Sequence, residues 1–313
     1  MLFLDDLSVS YLQHTGLLEK LRPAGLEAYV STRSLEEVNA LLRYEQLTSE
    51  INRIIEAIRN FLAVGIQSRK IKVGQMPNLD QAQETVLQHH PSFAIFHLAQ
   101  DVEAIVVDDR FLNQHGNIDS GSVRTPILTT LDLLDALYSK GDITFEQMLE
   151  SRTVLRRATY LFIPVTKDEL EYHLSAAEVS DGRLVETAEL KAIRENLLRI
   201  RMSRFLQLPK EGPWLNGLMQ TFTHTLQAQW CPEVDEILAI ARSNWLLELL
   251  DLRGWAHCFG SNGDRWIANY GYGGQILLLL SAPPSLTPEI KDRYWKWVDE
   301  RILDTIRQEE PEF

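Results

Sequence analysis

Through the first half of the chain, short apolar runs that close on polar residues alternate with stretches of helical periodicity, and this alternation restricts the fold most. Leu2–Leu4 ends at Asp5, a helical stretch over Val9–Leu21 follows, and Ala28–Val30 repeats the apolar run. Ala104–Val107 stops at Asp108 and Asp109, and Pro126–Leu128 runs through Thr129 and Thr130 into a helix over Leu131–Tyr138. Leu35, Val38, Leu41 and Leu42, and then Ile51, Ile54, Ile55, Ile58, Phe61 and Leu62, recur at the spacing of a buried face. They predict helices over Ser34–Tyr44 and Thr48–Gln67. Asp142–Arg157 reads as a further helix, and Ile71–Val73 and Tyr160–Val165 as further strands. Short apolar strands separated by helices specify an α/β fold with a mostly parallel sheet covered on both faces. Ligands gather at the carboxyl ends of such strands, and Asp5, Asp108 and Asp109 stand at two of them.

Strand signals fade beyond Val165, and Leu190–Phe205, Val234–Leu252 and Pro288–Arg307 read as helices. A length of 313 residues suits two domains, expected as 1–175 and a mainly α-helical 176–313, with Ser180-Asp181-Gly182 as linker. Gly260, Gly263, Gly271, Gly273 and Gly274 lie among aromatic residues but lack a phosphate-loop lysine or dinucleotide spacing, so a packed connection between helices is expected. Trp295 and Trp297 read as core or interface anchors.

With 45% hydrophobic and 24% charged residues the composition is that of a globular protein. The most apolar run, Ile276–Leu280, is far shorter than a membrane span of roughly 20 residues. Met1-Leu2-Phe3-Leu4 reaches Asp5 at once, without the basic start of a secretory signal, and Cys231 and Cys258 lack zinc or redox spacing. A soluble cytoplasmic protein with no membrane partner is therefore expected. Its net charge of −13 argues against a general duplex binder held by phosphate contacts. A nucleic-acid enzyme of this charge needs a local basic surface. Three clusters offer one: Arg69 with Lys70 and Lys72, Arg152 with Arg156 and Arg157, and the helix bearing Lys191, Arg194, Arg199, Arg201 and Arg204. Each also reads as an ordinary solvated or paired face.

Asp5, Glu37 (one turn into the second helix) and Asp109 are acids that separate elements can bring together. Three carboxylates are reasonable ligands for Mg²⁺ or Mn²⁺ in phosphodiester hydrolysis, although acids at strand ends and helix starts are common in any fold. The motifs sharpen this reading. LFLDDLS at Leu2–Ser8, VSTRSLEEVNAL from Val30 and AIVVDDRFL at Ala104–Leu112 resemble the successive motifs of PIN-domain nucleases. Pro126–Asp132 resembles that family's closing strand and threonine-led helix start. The resemblance covers roughly residues 1–140 and is nearest to bacterial PIN domains found as modules of larger proteins. It implies a Mg²⁺- or Mn²⁺-dependent endoribonuclease acting on RNA or single-stranded nucleic acid. Asp5, Glu37 and Asp109 would be catalytic and metal-binding, Asp108 would be an auxiliary ligand, and Arg110, Arg194 and Arg201 would meet the nucleic acid. Such modules often serve as toxins or effectors in bacterial defence.

The pattern departs from the family at one place. Where many members carry a fourth acid, Phe111, Leu112 and Asn113 stand, and Asp108 or Asp132 is the substitute. A catalytically weak PIN-like scaffold that assembles with protein partners through its helical half, or with a second copy, is the alternative. An unrelated α/β binder of a small phosphorylated ligand is a third reading, and it lacks a glycine loop after the first strand.

Overall fold

The computed structural model describes residues 2–4, 6–29, 32–74, 95, 98–120, 122–203, 205–251, 253–255, 264–282 and 286–304. The chain divides into two compact units, Met1–Glu84 and Thr85–Phe313.

In the first unit, β1 (Leu2–Phe3) pairs in parallel with β2 (Ala28–Tyr29), in the register Leu2↔Ala28. A parallel pair needs a crossover, and α1 (Asp6–His14) with the 3₁₀ turn Leu18–Lys20 supplies it. The two helices expected over Ser34–Gln67 are one, α2 (Thr32–Gln67), because Glu45-Gln46-Leu47 between them contains no breaker. Ile71–Val73 forms no strand. Ile51, Ile54, Ile55, Ile58 and Phe61 are exposed, although their spacing is that of a buried face. The two strands described in this unit, of two residues each, cannot by themselves cover a helix of 36 residues.

The second unit opens with a small mixed sheet in the order β3-β5-β4. β3 (Ile105–Val106) lies parallel to β5 (Val123–Leu128), while β4 (Asn117–Ser120) runs antiparallel to β5. α3 (Thr130–Lys140) leaves β5 through a capping box at Thr129 and stops at Gly141, whose φ of 77° closes the left-handed cap. α4 (Phe145–Arg157) follows, capped by Thr144 and Gln147. The expected strand over Tyr160–Val165 does not form. Thr159 (φ 69°) ends α4, its successor's amide reaching back to the Leu155 carbonyl at 3.0 Å, and Phe162 (φ 59°) bends the chain again. Left-handed residues cannot continue an extended strand.

Beyond it come α5 (Lys167–Ala176), the hairpin β6 (Val179–Ser180) and β7 (Arg183–Leu184), and α6 (Ala188–Met202). α7 (Glu211–Ala228), α8 (Glu236–Leu250), α9 (Asp264–Leu280) and α10 (Pro288–Val298) complete the helical part, with a π-helical turn at Asp299–Leu303. Ser180-Asp181-Gly182 is thus a tight hairpin turn rather than a linker, with Asp181 and Gly182 at φ 51° and 71°. Residue 175 lies within α5, and one core continues across it, joining Val165, Leu170 and Leu174 to Leu190, Phe222, Leu246 and Val298. Gly271, Gly273 and Gly274 lie inside α9 rather than in a connection. Leu279, buried in the same core, shows the packing that offsets their low helix propensity. Gly260 and Gly263 lie outside the described residues. Trp230, Tyr294 and Trp297 pack together in that core, as expected of Trp297. Cys231 is free, and among the described residues no helix is long and apolar enough to cross a membrane.

Candidate functional site

The parallel register of β3 and β5 ends both strands at one edge, with Val107 donating to the Leu128 carbonyl at 2.9 Å. Asp108 therefore emerges beside Thr129 and Thr130. Its Oδ1 accepts the Thr130 amide at 2.9 Å and the Tyr160 hydroxyl at 2.6 Å, and its Oδ2 accepts the Thr130 hydroxyl at 2.5 Å. Burial pushes the Asp108 carboxyl up, but the Thr130 and Tyr160 hydrogen bonds outweigh it and hold the group below its ordinary value. Burial and the adjoining carboxylate raise the Tyr160 phenol well above its usual range, so it stays a proton donor. On the other side of the same turn, Asp132 Oδ2 accepts from the Thr129 amide at 2.7 Å and hydroxyl at 2.8 Å.

Asp109 turns the other way. Its Oδ1 accepts the amides of Phe111 and Leu112, both at 2.9 Å, and so starts the 3₁₀ turn Leu112–Gln114. Its second oxygen takes no hydrogen bond among the described residues, and the residue is exposed. Asp108 and Asp109 thus present hard oxygen donors at an exposed strand end, a donor set that suits Mg²⁺ or Mn²⁺, ions that use only one or two protein carboxylates. Among the described residues no group of three or more His, Cys, Asp or Glu gathers at ligand spacing. Asp5 lies outside the described residues, and Glu37 is placed by its backbone alone, in the first turns of α2.

The arginines are occupied. Arg110 donates to Glu211 at 2.5 and 3.0 Å and to the Phe205 carbonyl at 2.8 Å, with its guanidinium against the rings of Phe205 and Phe162 at 4.6 and 5.4 Å. It fastens the turn after β3 to the start of α7 rather than offering a fork to phosphate. Arg194 makes a two-pronged pair with Glu186 at 2.6 and 2.8 Å, which Trp245 Nε1 supports at 2.8 Å. Arg201 packs its guanidinium against the backbone at Gly254. Of the second basic cluster, Arg152 and Arg156 are buried and share Glu169, at 3.4 Å and at 2.5 and 3.1 Å, so they serve the interior.

Sequence reasoning missed Tyr160, Thr130 and Glu211. Thr130 stood in the threonine-led helix start, where its hydroxyl is a signal of a strand-end contact. Tyr160 was hidden in a run read as a strand, and Glu211 carries no local signal, since its partner Arg110 lies about a hundred residues away in sequence.

These features define an α/β protein with carboxylates at parallel strand ends and a helical remainder. Residues 3–118 match the model of a family described as the PIN domain associated with the TPR-GreAB-C-PIN system. The N-terminal part of the chain is a PIN domain, a nuclease-type fold. The matched segment runs from β1 into β4, leaving Thr130, Asp132 and Tyr160 beyond it. No curated protein and no solved structure matches the chain at a significant level.

Proposed function

We propose that the chain is a metal-dependent endoribonuclease that hydrolyses RNA or single-stranded nucleic acid. The observation that carries this reading is the PIN match over 3–118 with paired carboxylates, Asp108 and Asp109, at its third strand end. Asp5, Glu37 and Asp109 are the proposed ligands, with Asp108 as the proposed auxiliary ligand. When bound there, Mg²⁺ or Mn²⁺ lowers the pKa of an attacking water and neutralises charge on the leaving oxygen. The chain's own part is positional. The amides of Phe111 and Leu112 fix one Asp109 oxygen and leave the other without a hydrogen bond among the described residues. Thr130 and Tyr160 keep Asp108 ionised at neutral pH, and the protonated Tyr160 remains a donor at the site's edge.

The family's association with a TPR-GreAB-C-PIN system supports a module that works beside protein partners, and a role as a toxin or defence effector in a bacterium is part of the proposal. The helical part is the proposed docking element, and Arg110, Arg194 and Arg201 are the cations proposed to meet the strand, Arg110 and Arg194 by exchanging the carboxylates they now hold. Titration of Mn²⁺ by electron paramagnetic resonance tests the donor set. Wild type is expected to bind, and Asp109→Asn to weaken binding at least tenfold; equal binding by both would rule out Asp109 as a ligand.

A further inference from the structure

At Asp108 the second unit forms an open cleft of about 530 Å³, inside the usual range of roughly 300–1,000 Å³ for small-molecule sites. Three aromatic residues, Tyr160, Phe162 and Trp214, share its wall with charged groups. Phe162 stands edge-on to Trp214, with ring centroids 5.1 Å apart and planes at 90°, so the two form a corner. Phe162 holds that place through a left-handed backbone at φ 59°. Such strain in a bulky residue persists only where its surroundings enforce it, and it concentrates at ligand sites.

The charges exclude an anion. Arg110 is neutralised by Glu211 at 2.5 Å, and Arg152 by Asp135 at 3.0 Å and Glu169 at 3.4 Å. Asp108 and Asp132 also line the wall, and Lys210 is a lining cation that no carboxylate of the described residues pairs; its ammonium donates to the Asn113 carbonyl at 2.5 Å. A phosphate would meet more carboxylate than cation, whereas a flat uncharged ring would not. Three lining residues hold buried polar atoms for which the described residues supply no hydrogen-bond partner: Asn113 Oδ1, Arg152 Nε and Trp214 Nε1. Such atoms are costly when left unpaired, and small turns of these side chains would offer a ring both a donor and an acceptor.

We propose that this cleft receives one nucleobase of the bound strand, seated against the Phe162–Trp214 corner, with the scissile phosphate outside at Asp108 and Asp109. This rests on the nuclease reading above and makes the cleft the pocket that selects the base at the cut. Saturation-transfer NMR and calorimetry on the full, metal-free chain, using the four ribonucleosides and ribose 5-phosphate as probes, test it. At least one nucleoside is expected to bind through its base protons, with ribose 5-phosphate failing to compete. Trp214→Ala should weaken binding roughly 5- to 100-fold, the loss of one base–aromatic contact. Asn113→Asp, which leaves the aromatic packing alone, should reorder the four nucleosides. Silence of all four with wild type, or displacement by ribose 5-phosphate, overturns the inference. RNA cleavage without nucleoside binding defeats this pocket and leaves the nuclease reading intact. Nucleoside binding without cleavage supports the pocket and defeats the nuclease reading.

Discussion

The residue that most repays attention is Glu169, fully buried between Arg152 and Arg156. Removing one partner of a buried ion pair leaves a charge that neither water nor protein compensates, at a cost of about 3–5 kcal/mol. Glu169→Ala should therefore lower the unfolding free energy by that amount in urea titration, and a change below about 1 kcal/mol would show the arginines to be solvated instead. Tyr160→Phe tests a subtler point. Without the phenol's hydrogen bond the Asp108 carboxyl should titrate closer to its ordinary value of 3.8, readable by carboxyl-carbon NMR. An unmoved titration would mean that Thr130 alone holds the group down.

At the scale of elements, local chemistry explains most boundaries. Thr129, Thr144, Thr166, Thr187 and Thr287 all cap helices through their side chains. Thr144→Ala should cost about 0.5–2 kcal/mol by chemical denaturation; no loss would mean that the capping box adds nothing at α4. Packing separates two further substitutions. Leu174 is fully buried and Leu174→Ala should cost about 2–5 kcal/mol, whereas Ile58 is exposed on α2 and Ile58→Ser should fall within about 0.5 kcal/mol. A large loss at Ile58 would show that the α2 stripe is covered.

Much of this was legible in the sequence. Apolar runs at Leu2, Ala28, Ile105 and Ile127 are strands, and the acids after the third of them stand at its carboxyl end. α7 was not among the expected helices: Gly212, Pro213 and Gly217 have low helix propensity, yet Pro213 sits in the first turn, where no helical hydrogen bond is lost. α5 was masked by the apolar run before it, and β4 by its polar Asn117 and Asp119. Arg110 was legible as a basic residue after the third motif, but not as the partner of Glu211, because a contact between such distant residues has no periodicity to betray it.

At the scale of the molecule, one buried base couples the fold to pH. His173 is buried, its Nε2 has no hydrogen-bond partner among the described residues, and burial, seconded by Arg156, outweighs Glu169 and Glu189 and lowers its pKa from the ordinary 6.5. The unfolded chain therefore takes up a proton before the folded one. Stability is complete above pH 6.5, falls as pH drops toward the folded pKa, and levels off below it. Thermal melts should show that slope, and His173→Gln should flatten it; an equal slope in the variant would place the titration elsewhere. The larger claim is the proposed ligand set of Asp5, Glu37 and Asp109. The measurement that tests it most directly is Mn²⁺-dependent cleavage of a mixed single-stranded RNA pool by wild type, Asp5→Asn, Glu37→Gln and Asp109→Asn. The account predicts cleavage that requires metal and falls at least a hundredfold in each variant. Cleavage that persists in all three variants, or a wild type that neither cuts RNA nor binds Mn²⁺, would contradict it.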